Sequence, residues 1–201
     1  MPIHFNDDIE SQDMNIDGTP TRTLRAQPER GVIDIIDQTR LPHALHWVRV
    51  ATLDEAAHAI RAMQVRGAPL IGVTAAYGLA IALASDTSDA RLQHAAALLR
   101  STRPTAVNLH WALARMENAL STLPPDERLA AAWAEAAAIA EEDVAQNAAI
   151  GQHGLGMGGR RLRPDSERHQ RRAGRIWIGV PRRTVIAAAN MLRSRRGFTL
   201  H

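Results

Sequence analysis

The residues of this chain with the plainest chemical potential lie at two similar junctions. Arg66, Gly67, Ala68 and Pro69 put a guanidinium and a glycine directly before an expected helix start, and Ser101, Thr102, Arg103, Pro104 and Thr105 repeat the arrangement one helical hairpin later. The first turn of a helix has N–H groups without intrahelical acceptors and about half a unit of positive charge. Gly67 lets an anion approach the backbone closely, while Arg66 and Arg103 each add a two-pronged donor fork. Two such ends brought together would clamp a phosphate. Each junction alone also reads as a tight turn ahead of a proline-initiated helix; the pair favours a small anionic ligand.

Other side chains offer less. With no cysteine in 201 residues, a disulfide scaffold, a thiolate nucleophile and Cys-ligated zinc or iron are excluded. His110 falls within the helix after the second junction, and His153, in Gly-Gln-His-Gly at 151–154, reads as a loop histidine. No histidine and carboxylate spacing fits a metal, so neither metal nor cofactor is expected. Glu141, Glu142 and Asp143 read as a solvated helix face. Trp47, Trp111 and Trp133 read as core or interface.

The elements that must position the junctions follow from periodicity. Residues 1–30 are polar and read as an extended leader. Val32, Ile33, Ile35 and Ile36 form an apolar strand, and residues 44–50 alternate, with Leu45, Trp47 and Val50 available to a core. Thr52 with Glu55 is a capping box opening a first helix. A second helix is expected from Pro69 to about residue 84, a third over 88–100, a fourth from Pro104 or Thr105, and a long Ala-rich fifth from Asp126 to about Ile150. The predicted fold class is mainly α with a small antiparallel N-terminal sheet over 31–155, followed by an incomplete α/β Rossmann-like domain over 156–201, where residues 176–180 read as a strand and 185–192 as a helix.

Charge marks the same seam. All 24 basic residues are Arg, 12 in 1–159 and 12 in 160–201, whereas acidic residues divide 19 to 2; the net charge of +3 therefore hides −7 in the first part and +10 in the second. The tail has the clustered Arg of a nucleic-acid binder but lacks interleaved aromatics, so no specific nucleic-acid partner is expected. The longest apolar run, residues 69–84, is too short to span a bilayer, and no signal segment opens the chain; a cytoplasmic protein without a membrane partner is expected.

Several stretches carry a family resemblance. Met-Gln-Val-Arg-Gly-Ala-Pro-Leu-Ile-Gly-Val-Thr-Ala-Ala-Tyr-Gly at 63–78, Ser-Thr-Arg-Pro-Thr-Ala-Val-Asn-Leu at 101–109, Ile-Gly-Gln-His-Gly at 150–154 and Asp-Ile-Ile-Asp-Gln-Thr-Arg-Leu-Pro at 34–42 closely resemble S-methyl-5-thioribose-1-phosphate isomerases. That family is similar in fold to the regulatory subunits of the exchange factor for translation initiation factor 2 and to ribose-1,5-bisphosphate isomerases. The resemblance implies a cofactor-independent aldose-to-ketose isomerisation in methionine salvage, from 5-methylthioribose 1-phosphate to 5-methylthioribulose 1-phosphate. It places Arg66, Gly67 and Ala68 in the substrate-binding stretch and makes Arg103 a second substrate-binding arginine.

The resemblance also implies what to expect of the rest. Family members carry a catalytic cysteine, in a Thr-His-Cys-Asn-x-Gly stretch, and a catalytic aspartate on a Rossmann-like second domain through which they form homodimers. No catalytic residue is assigned in this chain, which has no cysteine; impaired turnover is expected, and residues 156–201 are read as an Arg-rich, truncated and frame-shifted remnant whose oligomeric state stays open. The competing expectation is a noncatalytic regulatory module that senses a sugar phosphate or nucleotide, like the exchange-factor subunits.

Overall fold

The computed structural model of this chain describes residues 14–16 and 19–158. These described residues divide between two units, one of Thr23–Asp143 and one drawn from the chain on either side of it. In the latter, β1 (Met14–Ile16) and β2 (Thr19–Thr21) pair antiparallel, with Met14 opposite Thr21.

The other unit holds both junctions. Its sheet has three antiparallel strands in the order β3 (Leu24–Gln27), β4 (Val32–Ile36), β5 (Trp47–Val50). Leu24 faces Ile35 on one side, and Ile35 faces Val48 on the other. The central strand is buried on both faces except at Asp34, which accepts hydrogen bonds from Gln27 on one neighbour and Arg49 on the other. The region read as a polar leader thus contributes β3, because Leu24 and Ala26 supply one apolar face of a strand whose other residues are polar. On the opposite edge, β5 begins only at Trp47. Leu45 lies outside it, 47% exposed, rather than in the core.

Among the described residues, five helices follow. Helix α1 (Leu53–Arg61) opens with the expected capping box: the Thr52 hydroxyl accepts from the Glu55 N–H at 3.2 Å, and the Glu55 carboxylate accepts from the Thr52 N–H at 3.1 Å. Helix α2 (Ala68–Leu83) carries Pro69 in its first turn and is buried continuously from Leu70 to Leu83. An apolar helix buried on every side is the axis of its bundle, and α1, α3 (Asp89–Thr102) and α4 (Val107–Ser121) pack around it. Helix α5 (Pro125–Gly158) adds Trp133, whose ring centroid lies 5.6 Å from that of Tyr77 on α2.

Two helix boundaries differ from expectation. Helix α4 starts at Val107, not at Pro104 or Thr105, because the Ala106 N–H bonds back to the Arg103 carbonyl at 3.0 Å and turns the chain first. Helix α5 continues past Ile150 to Gly158, since helix propagates cheaply once an Ala-rich run has nucleated it; His153 is therefore helical and exposed, not in a loop. The strand and helix expected at 176–180 and 185–192, with the Arg-rich tail and the Rossmann-like assignment, lie outside the described residues from 159 onward.

Two devices hold the region of the junctions. At Gly72, α2 and α4 nearly touch: a methyl group there would lie 2.8 Å from the Asn108 carbonyl oxygen and 3.3 Å from its carbon. At the sheet's end, the buried Asp37 carboxylate accepts from the Thr39 N–H at 2.9 Å, the Thr39 hydroxyl at 2.6 Å and the Gln64 side chain. The Gln38 N–H donates to the Gln64 carbonyl at 2.9 Å, so this turn grips the chain two residues before Arg66. Burial pushes the Asp37 carboxyl up, but these hydrogen bonds and the Arg40 charge together outweigh it and hold the group below its ordinary value of 3.8.

Both devices are testable by chemical denaturation. Gly72→Ala should destabilise the chain by about 1–3 kcal/mol, because the obstacle is backbone and one helix must move; wild-type stability would contradict the close approach. Asp37→Asn should cost about 1–2 kcal/mol at pH 7. A carboxyl with a lowered pKa gives stability above its unfolded-state value that is lost as pH falls through the folded value. The gap between wild type and Asp37→Asn should therefore narrow below pH 3.8; a gap constant down to pH 2.5 would refute the carboxylate's role.

Candidate functional site

The chain reaches the first junction through a sharp bend. Met63 adopts φ 59°, Val65 is fully buried beneath the turn, and Gly67 takes φ 95° and ψ 129°, a conformation that side-chain-bearing residues rarely adopt. Between them Arg66 is exposed, its Nε donating weakly to the Met63 carbonyl at 3.4 Å. Gly67 caps α2 without a side-chain hydrogen bond, and Pro69 has no N–H. Ala68 and Leu70 therefore supply the N–H groups of the first turn that have no intrahelical acceptor. Nothing lies within 4 Å of where a Gly67 side chain would begin, so the approach to this backbone is open.

The second junction differs in kind. Arg103 is the C-cap of α3, half-buried, with φ −147° and ψ 84°. Pro104 and Thr105 form the turn, and Ala106 precedes α4 without a side-chain cap. The arginine thus stands between the end of one helix and the start of the next, a turn earlier than a helix start at Pro104 would put it. The imidazole Nε2 of His110, on the second turn of α4, lies 2.8 Å from the Pro104 carbonyl oxygen.

The Gly72 contact relates the two junctions. Gly72 lies four residues into α2 and Asn108 one residue into α4, so the helices meet about 6 Å of rise from the start of α2 and about 1.5 Å from the start of α4. Both helix starts consequently sit at the same end of the α2–α4 pair.

Their electrostatics set them apart from the other helix starts. Helices α1, α3 and α5 each carry acidic residues in the first turn: Asp54 and Glu55, Asp89, and Asp126 with Glu127. Helices α2 and α4 carry none, and neither has a side-chain cap. The positive ends of these two helices are left for something other than their own side chains to neutralise. Among the described residues, no group of His, Asp and Glu could hold a metal ion.

Elsewhere charge is spent on architecture. Arg128 is buried, donating to the Leu123 and Thr87 carbonyls at 2.9 Å each and pairing with Asp89 at 2.7 Å, which locks the start of α5 to the start of α3. Arg115 on α4 binds Glu135 and Glu142 of α5, so Glu142 is paired and not simply solvated. Trp133 is buried, as expected of a core residue, whereas Trp111 is half-exposed on α4 beside Arg115. Residue types alone did not point to Arg128, His110 or Asp37. For Asp37 there was a usable signal, since Asp followed two residues later by Thr is the pattern of a side-chain-closed turn.

Comparison with known proteins places this geometry. Residues 64–157, which include both junctions, match the initiation factor 2 subunit family. The chain is 82% identical over 142 residues to a methylthioribose-1-phosphate isomerase from Dechloromonas aromatica, covering 71% of this chain and 39% of that protein. It is 58% identical over 144 residues to an uncharacterized protein from Rhodospirillum rubrum, covering 72% of this chain and 78% of the other. The crystal structure of 5-methylthioribose 1-phosphate isomerase from Pyrococcus horikoshii superposes with a TM-score of 0.61 at 35% identity, over 66% of this chain and 39% of that one. The chain thus spans about two-fifths of the length of the isomerases it matches. The family match over both junctions and this degree of identity together establish that the chain belongs to the initiation factor 2 subunit family.

Proposed function

We propose that this chain serves the aldose–ketose isomerisation of 5-methylthioribose 1-phosphate to 5-methylthioribulose 1-phosphate, a step of methionine salvage, and that its own share of the work is to hold the substrate. The observation that carries the reading is the 82% identity to a protein named for that reaction; it favours the isomerase over a noncatalytic regulatory module. The chemistry of the junctions agrees. Arg66 and Arg103 offer forked donors to anionic oxygens, Gly67 and Ala68 offer backbone N–H groups, and the α2 and α4 dipoles add positive potential with no acidic side chain in their first turns to cancel it. Aldose–ketose isomerisation moves hydrogen between neighbouring carbons with no net oxidation, so binding groups contribute by holding the sugar fixed through that transfer. No side chain of this chain is assigned the transfer itself.

Calorimetric titration with 5-methylthioribose 1-phosphate tests the binding role. Arg66→Ala should raise Kd by about tenfold or more, the cost of a lost charge-assisted hydrogen bond, with melting unchanged because Arg66 is exposed. Wild-type affinity in that variant would remove Arg66 from the site. Turnover, followed by NMR of the sugar protons, should be lower than that of the Dechloromonas relative by about a thousandfold, since no positioned acid or base is assigned here. Comparable rates would show that the chain does supply the transferring group.

A further inference from the structure

We infer that His110 is a positioning residue for Arg103, setting the direction of that arginine by fixing the peptide that follows Pro104. The inference rests on the substrate-binding reading of Arg103 given above, and its structural half stands on the connection between α3 and α4.

The argument runs through the soft torsions of residues 103–106. A residue before proline is kept out of the helical region, and Arg103, at φ −147° and ψ 84°, lies outside it. The proline ring then locks its own φ near −65°. Of the torsions linking the Arg103 backbone to the turn, Pro104 ψ is the one that neither restriction sets. That torsion orients the Pro104 carbonyl, the group that meets the His110 ring at 2.8 Å. A carbonyl only accepts, so Nε2 carries the hydrogen.

Besides the His110 contact, one backbone bond closes this turn across Pro104 and Thr105. Ala106 has no polar side chain with which to cap α4, and its N–H is engaged with the Arg103 carbonyl. The Thr102 hydroxyl donates at 2.6 Å to the Leu99 carbonyl, back within α3. His110 is anchored in turn, its own N–H bonding to the Ala106 carbonyl at 3.2 Å within α4. The ring thus ties the turn to a helix whose position is set by the Gly72 contact with Asn108, two residues away.

A double-mutant cycle separates positioning from a general structural effect. In titrations with 5-methylthioribose 1-phosphate, His110→Phe should raise Kd about five- to tenfold, and His110→Gln, whose amide can still donate to the carbonyl, should stay within about twofold of wild type. In an Arg103→Ala background, His110→Phe should change Kd by less than about twofold, because the residue it positions is gone. An equal penalty in both backgrounds, or His110→Gln as weak as His110→Phe, would overturn the inference. Should the wild type bind no sugar phosphate, the substrate reading fails by itself, and amide hydrogen exchange at Ala106 decides the structural half. His110→Phe should then exchange there about tenfold faster and His110→Gln at the wild-type rate; unchanged exchange in His110→Phe would overturn it.

Discussion

Everything in the larger unit depends on one helix being buried on every side. Helix α2 exposes nothing from Leu70 to Leu83, so each neighbour must lie flush against it and none can be displaced without opening a face. Two glycines make this possible. A methyl at Gly72 would meet the Asn108 carbonyl at 2.8 Å, and one at Gly78 would meet the Ala56 methyl at the same distance, so α4 and α1 pack where a larger residue would push them off. Glycine costs a helix interior roughly 0.5–1 kcal/mol relative to alanine, and here close packing offsets that cost. The same contact that closes the core also brings the starts of α2 and α4 to one end of the pair.

Polar groups divide by task. The arginines that build the fold are matched: Arg128 to two carbonyls and Asp89, Arg100 to Glu117, Arg115 to Glu135 and Glu142. Asp37 is matched too, which is why burial does not neutralise it. The ends of α2 and α4 follow the opposite rule, with neither a side-chain cap nor an acid in the first turn. Leaving a helix start without its own side-chain cap forgoes about 1 kcal/mol at Ala106 and only a few tenths at Gly67, and it is the condition under which a ligand anion gains most from binding there.

Much of the fold was legible because its signals are local. The Thr52–Glu55 box, the apolar run after Pro69 and the Ala-rich stretch after Pro125 each declare a helix from neighbouring residues, and each helix is present. The failures share a cause. Strand β3 needs β4 beside it before Leu24 and Ala26 mean anything, Leu45 looks like core until β5 is seen to start at Trp47, and the turn at Pro104 is decided by a backbone bond to Ala106 that sequence spacing does not show. Pairing partners and turn bonds are relations between segments, so a scan along the chain underdetermines them.

The candidate site divides the same way. Residue order alone determined its chemistry: an arginine and a glycine before one helix, an arginine and a proline before another, no cysteine, and a family pattern around both. Tertiary structure alone decided that the two helix starts share one end of a pair, that Arg103 caps α3 instead of preceding α4 directly, and that Asp37 and His110, 29 and seven residues from Arg66 and Arg103, bond to the chain at Gln64 and Pro104 near those arginines. The physical reason is that residue identity fixes which bonds a side chain can make, whereas packing around α2 fixes which groups come within reach to make them.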